Sequence, residues 1–317
     1  MRSKYFLYLM TMILSLGFSL NVIAASKELT WAGCGISKKG FMNDLAKAYE
    51  SKTGVKIKID GGGATKGLRQ VAAGKINLGG SCRLPLIFKK SDGTSQVLGI
   101  EENLNVIPVG WDALVAITSK ENKMIDSIST DQLRDIFTGK INNWKQLDGK
   151  TDKPINLYVR KGKISGVGLT LRQQLFNNTD QEFAKSAKVL KSSGKIETAL
   201  EKDPYGIGVS GISSSRHRKL TMLKLDGVEP TMQNLKKSKY KLYRILFLVA
   251  PKDYTQNPDL KAFVDFALSI EGQKVIQKAG TLPYRQGFGL LRTAASFEYL
   301  RAMDVVDQQG LYTLGGH

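Results

Sequence analysis

The pattern that most restricts the fold is a repeated succession of short apolar runs, glycine turns and helical stretches. Glu28–Ala32 reads as a strand and runs into Gly33-Cys-Gly-Ile-Ser37; Phe41, Leu45, Ala48 and Tyr49 then recur at helical spacing up to Gly54. Val55–Ile59 alternates like a second strand, Gly61-Gly-Gly-Ala-Thr65 follows, and Leu68, Val71 and Ala72 mark the next helix. Further on, the sequence predicts strands at Val106–Val109, Ala113–Ile117, Ile155–Val159 and Gly206–Val209. Helices are expected at Ser129–Phe137 (Ser129 or Thr130 as cap), Leu169–Phe176, Ala184–Leu190 and Ile196–Glu201. Tyr243–Ala250 is the most apolar strand after the first 25 residues. A single helix is expected from Leu260 to Gln277 and a last one from Ala294 to Met303. Such alternation predicts an α/β fold with mixed sheets flanked by helices. The middle of the chain has strands and helices of its own, so the expected organisation is a discontinuous first lobe, 26–112 and 243–317, around a second lobe, 113–242.

The first 25 residues decide the compartment. Arg2 and Lys4 precede an uncharged, mostly apolar stretch from Tyr5 to Ala25, the pattern of a secretory signal cleaved after Ala24 or Ala25. The competing reading, a membrane anchor, has only a borderline apolar length. The exported chain is expected to be soluble.

Charge narrows the partners. Lys and Arg number 47 against 28 Asp and Glu, a net +19, which favours anionic ligands. These lysines are spread along the chain, and no zinc finger, recognition helix or RNA-binding signature occurs, so nucleic acid is not an expected partner. An enzyme is not expected either. The chain has two histidines, His217 in a basic serine-rich loop and His317 at the terminus, with no nucleophile elbow or metal-ligand spacing. No cofactor is anticipated.

Three glycine-bearing loops, 33–40, 61–67 and 162–168, each lie between a strand and a helix. Amides of a helix's first turn lack internal partners, and the dipole end favours negative charge. Glycine lets the backbone approach an ion closely. Ser37 and Ser165 add hydroxyl donors, and Arg160, at a strand end, adds a planar fork of donors. One such loop alone is an ordinary turn; three with an arginine point to a cleft for a small inorganic anion. Trp31, Trp111 and Trp144 suit core packing at least as well as a cleft wall. Lys66, Lys161 and Lys163 are read as surface charges. The cysteines, Cys34 and Cys82, both follow short strands of the first lobe. In an oxidising compartment a disulfide between them is expected, and a thiolate pair facing a thiophilic ligand such as arsenite or a soft metal is the alternative.

Four segments carry a resemblance: Leu29-Thr-Trp-Ala-Gly-Cys-Gly35, Leu133-Arg-Asp-Ile-Phe-Thr-Gly-Lys-Ile-Asn-Asn-Trp144, Asp203-Pro-Tyr-Gly-Ile-Gly-Val209, and the stretch from Phe263 to Gly280. Together they resemble the phosphate-type solute-binding proteins of ABC transporters, the PstS-like superfamily, over almost all of the exported chain. The resemblance implies a periplasmic binding protein of type II-like architecture, with two α/β lobes on a hinge closing over a ligand. An ABC permease, or a membrane sensor kinase, would read the closed form. It places the ligand contacts at Gly35, Ile36 and Ser37, at Gly62 and Gly63 of the second loop, and at Arg160, Ser165, Gly166 and Val167. It also exposes departures. Gly62 or Gly63 stands where the family places serine, Val167 where it places threonine, and Cys82 where it places the aspartate of a Gly-Ala-Ser-Asp segment. A thiol is a weak acceptor for the proton of hydrogen phosphate, so another oxyanion, a thiophilic species, or an adhesion or scaffold role without small-anion binding stay open.

Overall fold

The structure is a computed structural model that describes residues 28–89, 91–92 and 95–293. The expected signal segment and the helix at 294–303 lie outside the described residues.

Ten strands form one curled, mixed sheet flanked by helices. They are β1 (Glu28–Gly33), β2 (Lys56–Asp60), β3 (Leu78–Ser81), β4 (Leu104–Ser119), β5 (Asn156–Arg160), β6 (Lys188–Leu190), β7 (Gly206–Gly211), β8 (Leu220–Met222), β9 (Tyr243–Pro251) and β10 (Leu282–Pro283). The order is β2-β1-β3-β9-β4-β7-β5-β6, with β8 and β10 also pairing with β4. Parallel ladders lie on both flanks, β2-β1-β3 and β7-β5-β6, and antiparallel ladders join them in the middle.

The centre of this sheet departs from the expected strands. Instead of two strands separated by Gly110-Trp-Asp112, residues 104–119 form one 16-residue strand. Nearly all of it is buried, so both of its faces need cover, and the apolar run on either side of the Gly-Trp-Asp step supplies this. β4 changes partner along its length. Residues up to Ala113 pair with β9, ending at Ala113↔Tyr243; from Leu114 on they pair with β7, beginning at Leu114↔Gly211.

Two other expectations are corrected. The segment 184–190 is not a helix: Lys188–Leu190 is β6, an edge strand parallel to β5, with Val189 exposed on its outer face. The single helix at 260–277 is two, Pro258–Leu268 and Ile270–Ala279. Ser269, extended at φ −66° and ψ 162°, ends the first and caps the second through its side chain, which accepts from Gly272 N–H. Serine's ability to cap outweighed the continuous apolar periodicity around it.

The local signals held elsewhere. Ser129 and Gln132 form a reciprocal capping box at the start of Thr130–Thr138. Trp144 is buried and its indole N–H donates to the Tyr205 carbonyl at 3.0 Å. Trp31 and Trp111 are likewise core residues, Trp111 stacked on Tyr284. Among the described residues no helix is long and apolar enough to cross a membrane.

Candidate functional site

Three helices begin at one place. The first, α1 (35–53), follows Cys34; it opens as Gly35–Ser37, passes through a π-helical turn at Lys38–Met42 and continues as Asn43–Thr53. The second, α2 (Ala64–Ala72), follows Gly63, and the third, α3 (Gly166–Phe176), follows Ser165. Gly62 and Gly63 have φ of 126° and 99°, a region that a side chain strongly disfavours. Gly63 N–H donates to Gly33 O at 3.0 Å and Cys34 N–H to Gly80 O at 2.9 Å, so the first two loops and β3 are tied together by backbone.

Between these helix starts lies a cleft of about 300 Å³. Its walls include Gly35, Gly62, Gly63, Cys82, Arg160, Gly166 and Val167, all expected from the sequence, together with Cys34, Lys38 and Ser193. Among the described residues no carboxylate lines it. Three expected residues stand behind this wall. Ile36 is buried with its side chain packed towards Gly211. Ser37 is buried and its hydroxyl donates to Ser81 O at 3.4 Å. The Ser165 hydroxyl is buried with no hydrogen-bond partner. Arg160 donates through Nη1 to Leu190 O at 3.2 Å and forms no ion pair among the described residues; a Cβ on Gly63 would lie 3.5 Å from its Nη2. The default surface reading suits the neighbouring lysines: Lys66 pairs with Asp60, Lys163 with Glu182 at 2.7 Å, and Lys161 is exposed.

The expected Cys34–Cys82 disulfide is absent. Both cysteines are free and buried, and their thiols lie near each other without a covalent bond. The neighbouring Cys82 thiol, the nearby Arg244 and the backbone amides of Ser37 and Ile36 together lower the Cys34 thiol to about 6, against the opposing effect of burial. Burial pushes the Cys82 thiol well up, and the neighbouring Cys34 reinforces this. A thiolate at a helix start, facing unpaired amides, is the arrangement expected to favour the charged form.

Arg244 was not foreseen. It is 5% exposed, and none of its three guanidinium nitrogens has a hydrogen-bond partner. It faces both cysteines and Arg160 electrostatically. Its nearest carboxylate, Asp112 Oδ2, is 3.7 Å away and also lacks a hydrogen bond. Asp112 Oδ1 accepts from Ser213 N–H at 3.0 Å, and burial raises the carboxyl to about 6. A signal existed in the sequence: one charge inside the most apolar strand, and another between two apolar runs. Buried unpaired donors of this kind are costly, and an anion supplies acceptors.

Further contacts join the helix starts from opposite sides of the cleft. Arg83, paired through two 2.8 Å bonds with buried Glu101, donates through Nε to Ile164 O at 2.9 Å, just before α3. Lys39 of α1 lies 3.8 Å from Glu197 of α4 (Ser193–Leu200). Cys82 Sγ sits against Gly166, where an added Cβ would come within 2.3 Å.

The same architecture recurs in known proteins. The family model described as PBP superfamily domain matches residues 31–271. The phosphate-binding protein PstS of Bacillus subtilis is 27% identical over 260 residues, 82% of this chain and 81% of its own. That of Borreliella burgdorferi is 29% identical over 191 residues, 58% of this chain and 67% of its own. A crystal structure from Clostridium perfringens, assigned as a phosphate ABC transporter substrate-binding protein and solved with bound phosphate, superposes with a TM-score of 0.68 at 26% identity. It covers 81% of this chain and 99% of that one. Each of these is a binding protein by its name. On the match over residues 31–271 and the fold that accompanies it, the chain belongs to the PBP superfamily.

Proposed function

We propose that this protein captures phosphate or a related oxyanion in the cleft between α1, α2 and α3 and presents it to an ABC permease. The observation that carries the reading is the convergence of three helix starts on one cleft lined by Arg160, which forms no ion pair among the described residues, with the buried guanidinium of Arg244, free of hydrogen bonds, acting on the cleft's cysteines from behind. An oxyanion brings acceptor oxygens and negative charge to those amides and that arginine. In support, the relatives in B. subtilis and B. burgdorferi are phosphate-binding proteins by name, and the C. perfringens protein holds phosphate. With Cys82 where the family resemblance implies a carboxylate, the wall offers, among the described residues, no group that repels a fully ionised oxyanion.

We take the lobes to be 26–112 with 243–317, and 113–242, because β4 changes partner between Ala113 and Leu114 and β9 begins at Tyr243. Gly35, Ile36, Ser37, Gly62, Gly63 and Cys82 then belong to one lobe, and Arg160, Ser165, Gly166 and Val167 to the other. Ligand bridging them favours the closed arrangement through its differential affinity. The relatives' names favour a permease as reader of that state; a sensor kinase has no observation in its favour.

Calorimetric titration of the reduced protein with phosphate, arsenate, sulfate and molybdate tests the reading. One-to-one heat with at least one ion is expected, weakened about tenfold or more in Arg160→Ala, as for a lost hydrogen bond to a charged group. Silence across the panel overturns it in favour of an adhesion or scaffold role.

A further inference from the structure

The cleft contains chemistry that oxyanion capture does not use. Cys34 and Cys82 come from different loops, 48 positions apart, yet both line the same cleft with their thiols near each other. Neither is oxidised. Two adjoining thiols in a cleft can hold a soft, thiophilic centre, and the surroundings decide which kind.

A soft metal cation is disfavoured. Arg244 and Arg160 both act on the two sulfurs, and among the described residues no Asp, Glu or His lines the cleft. Among the described residues no group of three or more His, Cys, Asp or Glu is placed to hold a metal ion. A cation entering here would meet Arg160 in the wall and the field of Arg244 behind it, against the two sulfurs and a single carboxyl, Asp112, which burial raises to about 6. Arg244, 5% exposed and with no hydrogen-bond partner on any nitrogen, asks for the reverse: an oxygen acceptor that carries no positive charge.

We infer that Cys34 and Cys82 form a dithiol site for a neutral trivalent oxyacid, arsenous acid or its antimony counterpart, with a remaining oxygen directed to Arg244. The trivalent centre is an uncharged, three-coordinate, pyramidal molecule of about the size of a phosphate, so the same cleft admits it. In the reaction, As(OH)3 meets the two cysteines; two As–O bonds break, two As–S bonds form, and the two departing hydroxyls leave as water, one with the Cys82 thiol proton and the other with the Cys34 proton or, where Cys34 is ionised, with a proton from solvent. Arsenic stays trivalent and no electron is transferred. The product, two sulfurs and one hydroxyl on arsenic, keeps an oxygen acceptor for the guanidinium. This site rests on the cleft being a ligand site but not on phosphate being its ligand.

The test titrates the reduced full-length protein with sodium arsenite and reads bound arsenic, free thiols by a colorimetric thiol reagent after denaturation in acid, and intact mass. The expected result is one arsenic per protein, with protection of both thiols. Cys34→Ser and Cys82→Ser are each expected to lose at least tenfold in retention, since one sulfur remains. Arg244→Gln is expected to weaken arsenite while raising zinc retention, because the barrier to cations falls. Phosphate titration of the same preparations separates the two readings: heat with phosphate alongside two unprotected thiols overturns the dithiol site and leaves oxyanion capture standing. Zinc bound by the parent protein as well as arsenite overturns the charge argument. Should Arg244→Gln fail to fold, zinc against arsenite on the unaltered chain decides.

Discussion

Arg244 and Asp112 are cross-strand partners in the middle of the sheet, yet their charged groups stand 3.7 Å apart, Nη2 to Oδ2, without a hydrogen bond between them. Both are buried. A pair this deep normally compensates its desolvation with close, well-aligned bonds. Here the guanidinium is held short of its carboxylate, beside the two cysteines. The arrangement leaves the guanidinium without a hydrogen bond, and it leaves the carboxylate reluctant to ionise.

That reluctance predicts a pH dependence of stability. Burial raises folded Asp112 to about 6 from an ordinary 3.8. The folded state therefore holds this proton more tightly than the unfolded chain. Stability from this group is fully present below about pH 4 and is lost as pH rises through about 6, a difference of about 3 kcal/mol. Urea unfolding of the parent and of Asp112→Asn, run from pH 4 to 8, checks this. The gap between the two is expected to change by that amount across the interval, with the parent losing relative stability towards higher pH.

A second prediction concerns the closeness of Cys82 to Gly166. An alanine Cβ at 166 would lie 2.3 Å from Cys82 Sγ, inside van der Waals contact, so one of them has to shift. Gly166 is the first residue of α3, and a shift there moves the helix start that faces the cleft. Gly166→Ala is expected to reduce oxyanion affinity by tenfold or more, and Gly166→Ala with Cys82→Ala to recover most of it. Because the residues touch, the two changes should be strongly non-additive in a double-mutant cycle read by calorimetry.

The third concerns Glu101, which is fully buried and accepts from Arg83 Nη1 and Nη2 at 2.8 Å, Arg69 Nε at 3.1 Å and Leu86 N–H at 2.9 Å. Removing its charge leaves the Arg83 guanidinium buried without a counter-ion. Glu101→Gln is expected to cost about 3–5 kcal/mol in chemical unfolding, the range for breaking one partner of a buried ion pair. Because Arg83 also donates to Ile164 O across the cleft, the same substitution should raise hydrogen exchange in the 162–166 loop.

Much of the site was legible in the sequence because its parts are local. Glycine at 62 and 63 announces a backbone with positive φ, a strand followed by Gly or Ser and a helix announces unpaired amides, and Arg160 closes a strand next to such a loop. The same holds for the Ser129 capping box and the packing of Trp144. Ser37 and Ile36 illustrate the limit. Their amides were correctly placed at a helix start, but their side chains stand behind the cleft wall, and the thiol that comes to lie near Cys34 there belongs to another loop, that of Cys82.

Sequence alone therefore determined the alternation of strands and helices, the glycine turns and the basic, anion-seeking character of the chain, since these follow from each residue's own backbone preferences and charge. Tertiary structure decided the rest. It joined 104–119 into one strand, turned 188–190 into an edge, set two free thiols side by side where a disulfide was expected, and brought Arg244 opposite Asp112. These outcomes depend on contacts between segments from about thirty to more than a hundred residues apart, and no local preference encodes which side chains such pairing makes neighbours.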